Sequence, residues 1–336
     1  MILHPGILAL LLGSAMVLVL MILSSWTALQ VLRRWDPDQA DERQLSLERR
    51  TYLVSTLVNY ALGFTVLSLP LFLYTLDDLH PLFTGAMCAT GSLNANPIGW
   101  LALFAKLLLV LLAGLWVVLN HYDLRAEDYP LVRLKYLLLL FLLPLVGADL
   151  YLQGSYFWGL DPEIITSCCG SLFSSNANGV AAEVSGWPPR PMMAVFYSGI
   201  AGYAGLLVGN MISRLSLLRY LLALFAGLFF LMSLAAIISF ISLYIYELPT
   251  HHCPFDMLQK SSNFIGYPIY LSLIGTTLCG TVPALLEIVR RVPSLEQIVT
   301  LGQRRWLWMA MFFLVIFVLL TSWPIMFGRL TLHVYF

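Results

Sequence analysis

The sequence predicts an all-α integral membrane protein, a bundle of about eight transmembrane helices with both termini outside and three cysteine-bearing hairpin loops on the outer face. Three observations predict it. Of 336 residues, 60% are hydrophobic and 11% charged, whereas soluble domains run at roughly 45–50% and about 25%. Apolar runs that match the ~20 residues needed to cross ~30 Å of hydrocarbon recur eight times. Basic residues alternate from one connection to the next. Net charge is zero, with 18 Lys+Arg against 18 Asp+Glu. No basic field exists to attract phosphate backbones, which excludes a nucleic-acid binder.

The runs are taken in order, as one polytopic domain over residues 1–336. The first, about 7–30, has no basic segment before it and is followed at once by Arg33 and Arg34, so it is expected to be a retained helix and not a signal peptide. The second and third, about 52–75 and 98–120, flank the first outer loop. The fourth and fifth, about 134–153 and 192–212, flank a hydrophilic stretch of about 154–191, too short for a core of its own. The sixth and seventh, about 217–246 and 264–288, flank the third outer loop. The eighth, about 306–327, precedes an alternating stretch, Gly328 to Phe336, expected to lie along the membrane surface or add a strand to a partner. All are too long and too continuously apolar for barrel strands.

Orientation follows from charge. The connections after the first, third, fifth and seventh runs hold 14 Lys and Arg, the opposite side holds Arg190, Lys260 and Arg329, and Lys106 lies within the third run. The positive-inside rule places the 14 in the cytoplasm and predicts a multi-pass protein of a bacterial cytoplasmic (inner) membrane.

The residues that carry chemistry segregate to the outer side. Cys88, Cys168, Cys169 and Cys253 fall in outer loops, and His4, His80, His251, His252 and His333 lie outside or at the outer boundary. Cys279 sits in the seventh run and His121 at the inner end of the third. The loops also resemble one another. Cys88 leads through Gly-Ser-Leu and Asn-Ala-Asn to Asn96, Cys168-Cys169 leads through the same two motifs to Asn178, and Cys253 leads to Asn263 and Gly266. A helix–loop–helix hairpin used three times would gather Cys88, Cys169 and Cys253 at a common centre.

Four outer cysteines admit three chemistries. They form two structural disulfides, with the adjacent Cys168 and Cys169 pairing to Cys88 and Cys253 and stapling the loops of a non-enzymatic subunit in a larger membrane complex. Alternatively the bonds exchange: Cys253 attacks, His252 stabilises its thiolate, a helix entered after Pro254 adds its N-terminal dipole, and Cys168, Cys169 and Cys88 are exchange partners. Four outer cysteines on a helical bundle are loosely similar to quinone-coupled disulfide-forming membrane proteins, which implies a quinone acceptor. This chain departs from that group in having no CxxC and eight runs. The third chemistry is a Cu(I) or Zn(II) site built from Cys88, Cys168, Cys169, Cys253, His251 and His252, with Asp256 behind the ligands.

No CxxCH haem attachment, Walker pattern or GxGxxG is present; a haem would need His80 and His252 at the outer boundary. Within the runs, Lys106 and Asp149 lie at similar depth and are expected to pair, the alternative being that Lys106 contacts an anionic headgroup, a quinone oxygen or a substrate carboxylate. Glu287 is expected to reach Arg290 or Arg291. Asn59, Asn210, Thr276 and Thr277 are expected to bond between helices, and the row Ala201, Gly205, Gly209 to pack closely. The expected partners are membrane lipid and an extracytoplasmic thiol protein or other membrane subunits.

Overall fold

The computed structural model describes residues 2–36, 41–126, 128–161, 163–166, 187–213, 215–290 and 292–330. Among them, eight helices are long and apolar enough to cross a membrane, the number expected, and no strand is present beyond a single bridge from Thr84 to Ile165. The helices are α1 (Pro5–Arg34), α2 (Glu42–Leu79), a short α3 (Ala89–Asn94), α4 (Gly99–Asp123), α5 (Val132–Trp158), α6 (Pro189–Ile212), α7 (Ser216–Ala236), a short α8 (Ser242–Tyr246), α9 (Gly266–Val289) and α10 (Glu296–Phe327). A π-helical stretch, Ile237–Ile241, joins α7 to α8, so the sixth span is one continuous element, Ser216–Tyr246. Two spans start earlier than expected. α2 begins at Glu42 rather than about 52 and α10 at Glu296 rather than about 306. Charged residues such as Arg43, Glu48, Arg304 and Arg305 propagate a helix well while falling outside any apolar window.

The chain divides into two compact units. The first comprises Met1–Thr75, Asn96–Leu160 and Ile288–Leu301. In α1, Pro5 occupies the first turn and the His4 ring accepts the Gly6 N–H at 3.3 Å, while Arg33 and Arg34 in the last turn complement the carbonyl end. Its buried side chains recur every three or four residues, Ile7, Leu10, Ser14, Val17, Met21, and that stripe packs on α5, as does α4. Met21, Leu62, Trp116, Tyr136 and Leu139 form the core. Charges are buried here in pairs. Lys106 Nζ donates to Asp149 Oδ2 at 3.0 Å and to Ser68 Oγ at 3.3 Å, the pairing expected from depth. Lys135 Nζ lies 2.6 Å from Asp123 Oδ2 and 3.2 Å from Asn120 Oδ1. Each ammonium is fully buried and is tolerable in hydrocarbon only because its partner is fixed beside it.

The second unit comprises Leu76–Ala95, Asp161–Glu287 and Gly302–Phe336. Its core is aromatic: Tyr203 stacks on Phe229 with centroids 5.1 Å apart, and Phe196 meets Phe240 edge-on at 5.6 Å. At the end of α9 the Glu287 carboxylate pairs with Arg219 and accepts from Ser216 Oγ (2.6 Å) and Gln303 Nε2 (3.0 Å). These bonds tie it to three other helical residues; Arg291, one of the two partners expected, lies outside the described residues. Thr276 and Thr277 donate back to their own helix, to Ser272 O and Leu273 O, and do not cross to a neighbour in these bonds. Asn210 bridges helices by donating to Leu206 O and Leu218 O. Among the described residues, a Cβ at Gly205 or Gly209 would meet nothing within 4 Å. Close packing falls instead at Gly199 and Gly202, under Met232 and Phe225.

Candidate functional site

Cys88 and Cys253 come together although 165 residues separate them. Their Sγ atoms lie 3.4 Å apart and both side chains are fully buried. Each is delivered by a loop of the second unit whose geometry is fixed by nearby polar bonds. In the first loop, Gly85 adopts φ +87°, and a Cβ there would stand 2.5 Å from Thr166 O. Glycine lets the chain pass that close, and Thr166 N–H donates to Thr84 O at 2.9 Å. Cys88 follows in extended conformation and its carbonyl accepts Gly91 N–H, opening α3. Ser92 Oγ donates to Leu76 O at 2.7 Å and ties α3 back to the end of α2.

The third loop is pinned on both sides of its cysteine. The Tyr246 hydroxyl donates to Cys253 O at 2.8 Å and the Tyr270 hydroxyl to Pro254 O at 2.6 Å. Gln259 Nε2 then donates to Met87 O (2.8 Å) and Asp77 Oδ1 (3.0 Å), which ties the third loop to the first. The two sulfurs meet between these fastenings. Cys253 Sγ accepts Phe255 N–H at 3.4 Å and lies 3.3 Å from Thr90 Oγ1. Hydrogen bonds to a thiolate favour the ionised form, and these two donors fit Cys253 to carry negative charge. A disulfide bond of about 2.05 Å requires the sulfurs to approach by only about 1.4 Å.

Asp256 completes the cluster. One carboxylate oxygen and the two sulfurs all lie within 4.8 Å of one another. Asp256 Oδ2 pairs with His251 Nε2, while Oδ1 is buried with no hydrogen-bond partner among the described residues. His251 stacks edge-on against Tyr246 at 4.9 Å. Beside this group lies a cleft of about 780 Å³ lined by Tyr246, His251, Asp256, Asn263, Leu319 and Trp323. Its lining mixes polar groups, the His–Asp pair among them, with apolar side chains.

Two sequence expectations change here. No helix starts after Pro254: the chain makes a three-residue 3-10 turn, Asp256–Leu258, so the backbone N–H of Phe255 takes the place of a helix dipole. The His252 ring turns to the sixth span, its Nδ1–H donating to Ile238 O at 2.9 Å. Burial, with His251 next to it acting in the same direction, holds the pKa of His252 below the usual histidine value, which disfavours the cationic ring. His80 likewise directs Nδ1 at a carbonyl, that of Asp77, and in both rings these bonds leave Nε2, the nitrogen that ligates haem iron, uncommitted. Cys168, Cys169 and His333 lie outside the described residues. Cys279 is buried in α9, and Lys106 is held by Asp149 and Ser68.

The sequence did not single out Thr90, Tyr246, Tyr270 or Gln259. Threonine in a small-residue loop and tyrosine at a span end are too common to signal a site, and only the fold brings them to the cysteines. Asp256 was legible only as a group behind the ligands of the metal alternative. Comparison with protein-family models, with curated proteins and with solved structures finds no match for this chain.

Proposed function

We propose that this protein is a thiol-redox component of a bacterial cytoplasmic membrane, in which Cys88 and Cys253 cycle between dithiol and disulfide on the extracytoplasmic side. The observation that carries the reading is the 3.4 Å contact between two buried sulfurs from separate loops. Oxidation forms the S–S bond and releases two electrons and two protons. Cys253, with Phe255 N–H and Thr90 beside its sulfur, is the attacking thiolate, and Cys88 is its partner. His252 positions the loop through Ile238 O. Because neither sulfur is exposed, the exchanging group is small: it enters by the cleft that Asp256 and His251 line, as a lipophilic acceptor of the quinone class, or as the thiol of a flexible segment of an extracytoplasmic protein. Cys168 and Cys169 are assigned as further exchange partners on sequence grounds. Lys106, already engaged, is given no role in cofactor binding. The preponderance of basic residues in the alternate connections supports the outer placement.

The second reading, a non-enzymatic membrane subunit whose loops are stapled by disulfides from Cys168 and Cys169 to Cys88 and Cys253, differs in potential. In the test, membranes containing the full chain are equilibrated in thiol–disulfide buffers of graded potential and the two cysteines are scored by alkylation. Exchange predicts one two-electron transition above about −300 mV, lost in either Cys88→Ser or Cys253→Ser. A bond that resists reduction down to that potential is a structural staple and overturns the proposal.

A further inference from the structure

We infer that Cys88, Cys253 and Asp256 form a binding site for a thiophilic divalent cation of the zinc class, with His251 orienting the carboxylate. The inference stands on donor chemistry and spacing and goes beyond the redox reading. Three ligand atoms, two thiol sulfurs and a carboxylate oxygen, lie within 4.8 Å of one another, and both sulfurs are removed from water. Two buried thiolates and a carboxylate this close repel strongly when ionised, and a bound cation would offset that repulsion. Asp256 Oδ1, buried with no hydrogen-bond partner among the described residues, is the atom a cation would satisfy.

The spacing selects the metal. Two sulfurs bound to zinc at about 2.3 Å in a tetrahedron stand about 3.8 Å apart, close to the 3.4 Å seen. A linear Cu(I) site needs sulfurs on opposite sides of the metal, and a carboxylate oxygen suits zinc better than the softer ion. The surroundings fit a metal thiolate as well. Phe255 N–H donates to Cys253 Sγ, and His251 Nε2 holds Asp256 Oδ2, the kind of support that orients ligating carboxylates. Three protein ligands leave a fourth position on the side of the cleft that Asp256 lines, where solvent or a ligand enters. An occupied site would hold both thiols reduced and block bond formation, so the cation would act as a lock on the redox pair.

The probes are Zn2+ and Cd2+, added to the full chain purified in detergent and reduced with a phosphine. After desalting, bound metal is counted, affinity is measured by competition with a chromophoric chelator, and near-ultraviolet charge transfer from thiolate to Cd2+ is recorded. One cation per chain with thiolate bands is the expected result. His251→Gln should raise the Kd about 10- to 100-fold, and Asp256→Asn by at least as much, both without loss of the folded monomer peak. No retained cation on the reduced chain would overturn the inference, as would equal retention by the Cys88→Ser/Cys253→Ser double variant. If that variant fails to fold, the two non-cysteine variants decide: unchanged Kd in both overturns the site. Cation binding needs only thiols, so stoichiometric Zn2+ with no disulfide at any potential would sink the redox reading and leave this one standing. A redox transition without Zn2+ binding would do the reverse.

Discussion

At the scale of single residues, the two cysteines are not equivalent. Cys253 has a backbone donor and a threonine hydroxyl at its sulfur, and among the described contacts those groups face Cys253 rather than Cys88. In the single variants a small uncharged alkylating reagent should therefore modify Cys253 (in Cys88→Ser) faster than Cys88 (in Cys253→Ser). Equal rates across pH would remove the assignment of Cys253 as the attacking thiol. The Lys106–Asp149 pair makes a second prediction. Removing one partner leaves the other charged and buried, at a cost of roughly 3–5 kcal/mol, while replacing both with apolar residues is nearly neutral. Lys106→Met and Asp149→Leu should each lower the thermal midpoint in detergent more than the double variant does. A double variant as damaged as the sum of the singles would contradict the pairing. This pair was legible because intramembrane charges are few and their depths can be counted. Thr90 and the tyrosine clamps were not legible, since their role depends on a contact between loops far apart in sequence.

At the scale of elements, the sixth span shows why the site forms where it does. The π stretch Ile237–Ile241 interrupts the regular ladder, and one carbonyl within it, that of Ile238, receives His252. Wide turns of this kind recur near functional sites because they release backbone groups to other partners. Tyr246 and Tyr270 then clamp the carbonyls of Cys253 and Pro254. Tyr270→Phe removes one such bond at a cost of about 1 kcal/mol, and amide hydrogen exchange should quicken across residues 251–258 while α6 is unaffected. Unchanged exchange in that loop would show that the clamp contributes nothing. Sequence periodicity and hydropathy were enough to count the spans, because hydrocarbon thickness sets their minimum length. They were not enough to place the ends of α2 and α10, where charged residues continue the helix, nor to show that Pro254 leads into a 3-10 turn. The row Ala201, Gly205, Gly209 illustrates the same limit: its spacing is that of a packing face, yet among the described residues a Cβ at Gly205 or Gly209 would meet nothing within 4 Å.

For the whole molecule, the proposed orientation puts both ends of the described chain outside, on the ground that basic residues concentrate in the alternate connections. A reporter active only outside the cytoplasm should work when fused after Leu330 and fail when fused after Arg125. The opposite pattern would place the thiol pair in a reducing compartment and remove the ground for a persistent disulfide. The bundle and its many apolar spans were readable from composition alone, whereas the division into two compact units follows from contacts that no periodicity records. The account's central claim is that Cys88 and Cys253 are each other's redox partners. The most direct test is peptide mapping of the full chain in its membrane, treated with a mild oxidant and then alkylated under denaturing conditions. The account predicts a Cys88–Cys253 linked peptide that disappears on reduction and returns on reoxidation. If both cysteines stay alkylated throughout, or are found linked only to Cys168 or Cys169, the claim is contradicted.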